Sequence, residues 1–384
     1  MPIEILFISN GHGEDLIASR IAQDLSDHVV AAFPLVGHGG AFEAIGIPVI
    51  GPRQAMPSGG FILRDAAALR ADMQAGLGRL ALEQLRFLTR LAPPRLIVAV
   101  GDMLPVAASL LVPSERVLVG CNKSDFYSTW GSSYLAAETA LFKWAGVTVY
   151  PRDPLTHRRL LKLGVRSESL GNPMMDGLDP LWPGETGVLG VLPGSRPEAF
   201  ENLALILPCL EALGSMQPFE ALLAAPRNLD PHGWEEIAKE AGWEIAPEAF
   251  RKGNCVLRRD HGFAEVLKRS KVVLGLAGTA NEQAVGCGRP VVAFPGNGPQ
   301  YNPLFAKLQA ELLGPGITVT EADPPRVAAE IVRAFGADRQ AAARIAGQER
   351  MGEPGAAQRI AHAIRQKLGE KPISGKLKKS FTFP

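Results

Sequence analysis

The chain has 384 residues, with 40 Lys and Arg against 39 Asp and Glu, a formal net charge of +1, and 46% hydrophobic residues. That length exceeds the ~250–300 residues at which one hydrophobic core stops growing, so two domains are expected. Ordinary, balanced charge excludes a disordered chain and argues against a nucleic-acid partner.

The amino terminus, MPIEILFISN, has no basic region before a hydrophobic stretch, and no uninterrupted apolar run nears the ~18 residues of a membrane span. A cytoplasmic protein is expected. Cys121, Cys209, Cys255 and Cys287 lie far apart among apolar neighbours and form no CxxC pair. They read as reduced core residues, with neither a zinc site nor a disulfide framework.

Along the chain, short apolar runs alternate with helical patterns. IEILFIS, VVAAFPLVG, RLIVAVG, RVLVGC and VTVY fall in the first half, and VLGVLPG, ALLAAP, CVLRR, KVVLGLAG and PVVAFPG in the second. Strands rich in Val, Ile and Leu without polar alternation are buried on both faces, as in parallel sheets, so each half is expected to be an α/β domain. Between them SLGNPMMDGLDPLWPGETG is dense in Gly and Pro and reads as the connection. The expected division is 1–170, then 171–365, then a basic tail over 366–384, with the last helix of the second domain a candidate to pack back on the first. In the tail Lys367, Lys371, Lys376, Lys378 and Lys379 face one acid, Glu370. A solvated end is expected there, with weak attraction to anionic lipid as the alternative.

Ligands of open parallel sheets bind outside the carboxyl ends of the strands. Four motifs occupy such positions. SNGHGEDLIASRIAQDL opens a helix after the first strand. Gly11 and Gly13 would let a ligand approach the backbone, or merely make the turn, with His12, Glu14 and Asp15 solvated in the first helical turn. The third glycine of a dinucleotide fingerprint, due near Leu16, is missing, which disfavours a nicotinamide enzyme. RLIVAVGDMLP delivers Asp102 at a strand tip, either as a general base or as the cap of the next helix.

In GVLGVLPGSRPEAF, Ser195 and Glu198 spell a capping box, Pro197 fits the first helical turn, and Arg196 beside free helix N–H groups makes a diphosphate clamp or a plain surface arginine. In GLAGTANEQAVGCGRPVVAFPG, Thr279 and Glu282 spell a second capping box. Glu282 has lone pairs left for sugar hydroxyls. Gln300, Tyr301 and Asn302 add polar reach at the same sheet edge. Together these motifs point to a sugar nucleotide.

In order and content the motifs resemble those of lipid-A-disaccharide synthase and its relatives, glycosyltransferases with two Rossmann-like domains facing across a cleft, the GT-B fold. The similarity runs from residue 3 to about 365. It rests on LGNPMMD at 170–176, LPGSRPEAF at 192–200 and AGTANEQAVGCGRPVVAF at 277–294, with looser matches at Asp102 and at the first glycine turn. The peptidoglycan N-acetylglucosaminyl transferase and the UDP-N-acetylglucosamine 2-epimerases share the architecture with weaker motif agreement.

The resemblance implies that Gly194, Ser195 and Arg196 hold the donor diphosphate, that Glu282 holds the ribose, that Gly278 and Thr279 line the phosphate loop, and that Asn172 lies in the cleft, with Gln300 on the donor side. Asp102, with His12 second, would take the acceptor's proton in an inverting transfer. The synthase's first turn reads Glu-Ala-Ser-Gly-Asp, whereas this chain has Asn10-Gly11-His12-Gly13-Glu14-Asp15, so the acceptor side, Gly11, Gly13 and Glu14, is altered.

No Asp-x-Asp motif ends a strand, so no metal is expected, and the UDP-sugar is a co-substrate rather than a bound cofactor. The implied acceptor is a lipid or glycolipid, met at the inner face of the cytoplasmic membrane. Residues 59–90, with Phe61, Ile62, Leu63 and Leu69 among arginines, supply either an interfacial patch or an ordinary helix pair. An epimerase using the same donor site and a non-catalytic nucleotide-sugar sensor remain alternatives.

Overall fold

The computed structural model describes residues 2–56, 66–127, 133–180, 184–185, 187–226, 228–296 and 301–369. The chain divides into two compact units. One runs to Gly177 and resumes at Pro354; the other is Leu178–Glu353.

The first unit is built on five strands, β1 (Ile5–Ser9), β2 (Val30–Pro34), β3 (Leu96–Val100), β4 (Glu115–Gly120) and β5 (Thr148–Pro151). They pair in the order β2-β1-β3-β4-β5, all parallel, with Ile5 opposite both Val30 and Leu96. The central strands β1 and β3 are buried at every position, which is why they read as unbroken apolar runs. One face carries a cluster of Ile5, Phe7, Val98, Ile17 and Ile21 together with Ile360 and Ile364 from the Ala356–Lys367 helix.

That last helix belongs to the first unit, and Asp176 ties it there. Its carboxylate accepts the backbone N–H groups of Gly355, Ala356 (3.0 Å) and Ala357 (2.7 Å), the otherwise orphaned donors of the helix start. Arg359 adds a bond to the Leu170 carbonyl, and Arg365 pairs with Asp27.

The second unit holds β6 (Val188–Leu192), β7 (Phe219–Ala224), β8 (Glu244–Ala246), β9 (Ala249–Lys252), β10 (Cys255–His261), β11 (Val272–Gly275), β12 (Val291–Ala293) and β13 (Ile317–Val319). Their order is β13-β12-β11-β6-β7-β10-β9-β8, parallel except for β9 against β10 and β8 against β9. The strands β8, β9 and β13 are short and partly exposed, so they carry no apolar run that sequence could register.

The Ala199–Met216 helix is long and apolar enough to cross a membrane by length and composition, yet 50% of it is buried inside the protein. It buries Leu203, Ile206, Leu207 and Leu210 and is a core helix of this unit. All four cysteines are buried and unpaired.

Of the segment 59–90, residues 59–65 and the side chain of Leu69 lie outside the described residues, so the patch of Phe61, Ile62 and Leu63 does too. The remainder forms a helix pair, Ala66–Gln74 and Leu77–Leu88. The second helix buries Leu80, Gln84 and Leu88, while Leu82 and Leu85 face out. Residues 370–384 of the expected tail also lie outside the described residues.

Candidate functional site

In the first unit the sheet order reverses between β1 and β3, which opens a crevice outside their carboxyl ends. Two motifs meet there. Gly11 has φ +142°, and a Cβ on it would lie 3.0 Å from the Val36 carbonyl oxygen, so the turn after β1 requires glycine. Gly13 faces open space. His12 begins the His12–Gln23 helix, its side chain outside the described residues.

Glu14 and Asp15 fill the first helical turn but are not the solvated pair that composition alone allows. Asp15 is buried and accepts the Ser9 hydroxyl at 2.5 Å. Glu14 accepts Asn122 Nδ2 at 2.7 Å, from the loop just beyond β4. Burial pushes the Glu14 carboxyl above the usual carboxylate range; the Asn122 bond opposes this, and the Asp102 and Asp15 charges add to it.

At the tip of β3, Asp102 caps the Met103–Ser109 helix, its Oδ1 accepting the Leu104 N–H at 2.9 Å. The capping reading of this residue therefore holds, and a carboxylate retains further lone pairs for a second partner. Beside it the Cys121 thiol is pushed well up by burial, with Glu14 adding to the shift and Arg152 opposing it.

The second unit reverses between β6 and β11, and the other two motifs meet at that point. Gly194, with φ +117°, lies close to Leu276: a Cβ there would be 3.9 Å from the Leu276 carbonyl oxygen. The loops are tied by Leu276 N–H to the Leu192 carbonyl, 2.9 Å, and by Asn202, whose Nδ2 donates to the carbonyls of Pro193 (2.8 Å) and Leu276 (3.4 Å). Ser195 is exposed and its carbonyl accepts Asn228 Nδ2 at 3.1 Å; Arg196 is half-buried beside it.

Neither capping box forms. The helix after β6 begins only at Ala199, because Arg196–Glu198 make a preceding turn in which Ala199 N–H bonds the Arg196 carbonyl at 2.8 Å. Pro197 thus precedes the helix instead of lying in its first turn. The helix after β11 spans Thr279–Gly286, and its cap position is Gly278, not Thr279, with no side-chain cap bond. Thr279 is exposed and Glu282 is nearly buried, 9% exposed, on the first turn.

Tyr301 and Asn302 do not reach toward a ligand. Tyr301 is buried and bonds Gln309, and Asn302 caps the Pro303–Leu313 helix through Phe305 N–H. Gln300 lies outside the described residues.

The structure thus gathers Gly194, Ser195, Arg196, Gly278, Thr279 and Glu282 at one sheet edge, and Gly11, Gly13, Glu14 and Asp102 at another. Asn172 falls in the first unit, fully buried, and caps the Pro173–Met175 turn through the Met174 N–H at 3.2 Å. The residues that sequence reasoning missed are Asn122, Asn202 and Gln309, polar groups outside the quoted motifs, and Asn281, which lies within one but was given no role there. Among the described residues no group of three or more His, Cys, Asp or Glu is placed to hold a metal ion.

Neither a protein-family model nor a curated protein matches the chain. Solved structures do. The calicheamicin glycosyltransferase CalG4 superposes with a TM-score of 0.61 at 18% identity, covering 97% of this chain and 100% of its own. MurG from Acinetobacter baumannii gives 0.58 at 15% identity over 95% and 100% of the two chains. A UDP-GlcNAc 2-epimerase from Neisseria meningitidis, bound to UDP-GlcNAc, gives 0.52 at 14% identity over 95% and 99%. The chain therefore has the two-domain α/β architecture of the GT-B glycosyltransferases and the UDP-GlcNAc 2-epimerases.

Proposed function

We propose that the chain is a glycosyltransferase that moves a sugar, an N-acetylhexosamine being the first candidate, from a UDP-sugar to a lipid-linked or glycolipid acceptor with inversion. The observation that carries this reading is the convergence of two glycine turns at the switch point of the second unit, the second leading directly into a helix and Arg196 following the first. Helix starts offer unpaired N–H groups and a positive dipole end, and a guanidinium adds two parallel donors, which together suit a diphosphate. The similarity to glycosyltransferases and to an epimerase holding UDP-GlcNAc supports a UDP-sugar as the ligand.

In the proposed step the acceptor O–H bond breaks as its oxygen attacks the anomeric carbon. The bond from that carbon to the diphosphate oxygen breaks with its electron pair leaving on UDP. The Glu14–Asp102 pair of the first unit takes the proton. Glu14 suits the role because burial has raised its proton affinity, to which the Asp102 charge adds a smaller share. Backbone N–H groups and Arg196 neutralise the charge that grows on the leaving diphosphate. An acylated acceptor would bring the enzyme to the inner face of the cytoplasmic membrane, which retention on anionic vesicles tests.

A 2-epimerase is the second reading, favoured by the epimerase fold match. One experiment separates the two. Nucleotide sugars are screened for thermal stabilisation, where a ligand at 100 times its Kd adds about 2.7 kcal/mol; stabilising sugars are then incubated with and without lipid extract. A transferase yields a glycosylated lipid only with extract, whereas an epimerase changes the hexosamine without it. Absence of stabilisation by any UDP-sugar defeats both readings.

A further inference from the structure

The switch-point loops of the second unit are held from beneath by three buried side-chain amides. Asn202, 3% exposed, donates Nδ2 to the carbonyls of Pro193 (2.8 Å) and Leu276 (3.4 Å). Asn281, 0% exposed, donates Nδ2 to the Gly275 carbonyl (3.1 Å) and to Gln309 Oε1 (2.9 Å). Gln309, 2% exposed, donates Nε2 to the carbonyls of Gly278 (2.9 Å) and Ala277 (3.3 Å), while its Oε1 also accepts the Tyr301 hydroxyl at 2.8 Å.

Carbonyl oxygens only accept, so in each contact the amide must present its NH₂ to the loop, and the orientation follows from the partners. Strand β11 ends in Gly275 because the Asn281 amide fills the space of a side chain there: a Cβ would fall 1.9 Å from Asn281 Oδ1.

These bonds have one electrostatic result. A phosphate is repelled by carbonyl oxygens and attracted by N–H groups. The carbonyls of Pro193 and of Gly275 through Gly278 are engaged on the protein side, so the loop surfaces are left to the N–H groups of the helix start after β11. The supporting amides are neutral and lay no negative charge beneath the phosphates.

We propose that Asn202, Asn281 and Gln309 form a set of positioning residues that makes this switch point selective for a diphosphate, acting through the backbone without touching the ligand. This rests on the nucleotide-sugar reading and adds the residues that set its preference for the phosphate part.

The test compares UDP with uridine, which lacks the phosphates, by ligand-observed NMR at fixed ionic strength. The proteins are the wild type, Gln309→Glu, Asn202→Asp and Tyr301→Phe, each checked for folding by circular dichroism. Gln309→Glu and Asn202→Asp exchange donors for acceptors at the loop carbonyls. Each should weaken UDP at least tenfold and leave uridine within twofold. Tyr301→Phe removes only the hydroxyl that steadies Gln309, and it should lower the UDP-to-uridine preference in the same direction by less; it carries the test if the others do not fold.

Equal loss of both ligands would mean general loosening and overturn the inference, as would unchanged UDP affinity. Failure of the wild type to bind UDP overturns the nucleotide-sugar reading itself, and the inference with it.

Discussion

At Glu14 the environment changes a carboxyl placed in the candidate site. A carboxyl that binds its proton more tightly when folded favours folding at low pH, and that contribution is lost as pH rises through the folded value. Burial raises Glu14 in this way. Glu14→Gln keeps an acceptor for Asn122 and removes the titration, so it should raise the unfolding midpoint at about pH 8 and leave it nearly unchanged at about pH 4, as read by calorimetry. The same change should cut sugar transfer about 100-fold or more while UDP still binds, the size expected for loss of a general base. A variant with wild-type turnover would remove Glu14 from the mechanism.

The turn glycines and Asp102 were legible in sequence, because a strand tip followed by glycine and an acid has few local meanings. Asn122 was not. It stands 108 residues from Glu14, and an amide that serves a distant carboxylate leaves no periodic trace.

Among the elements, the apolar strands were legible because burial on both faces demands unbroken Val, Ile and Leu. The helix caps expected at Ser195 and Thr279 fall instead at Glu198, three residues later, and at Gly278, one residue earlier. Ser195 with Glu198 and Thr279 with Glu282 match the capping-box spacing, but tertiary bonds from Asn202 and Gln309 decide where those loops turn. Gly194→Ala tests the first loop. With φ +117° the position is strained for any side chain, so the variant should lose about 1–3 kcal/mol of stability in urea titration. It should also weaken UDP, because the loop would have to relax.

The Ala356–Lys367 helix offers a second test. Asp176 serves it as a cap from a distant part of the chain, and Asp176→Ala should cost about 1–2 kcal/mol by the same titration. A loss within experimental error would show that the helix is held by its apolar face alone.

At the scale of the molecule, two α/β units follow from length and strand pattern, and composition made the connection near 171 visible. The return of the chain to the first unit was legible only as a candidate, since an amphipathic helix does not say which sheet it covers. The core cluster answers: Ile360 and Ile364 are fully buried with Ile5, Phe7 and Val98. Ending the chain at Glu353 should therefore speed amide hydrogen exchange across β1–β5 and leave β6–β13 as they were. Equal acceleration in both sets would show that the last helix supports the whole chain.

That closing helix also sets an order of birth. A ribosome releases β1–β5 before the second unit, yet Ile360 and Ile364, which help to seal the face of that sheet, are translated only after it. The first unit is thus finished after the second, and Leu178–Glu353 can mature while its predecessor still waits with apolar surface uncovered.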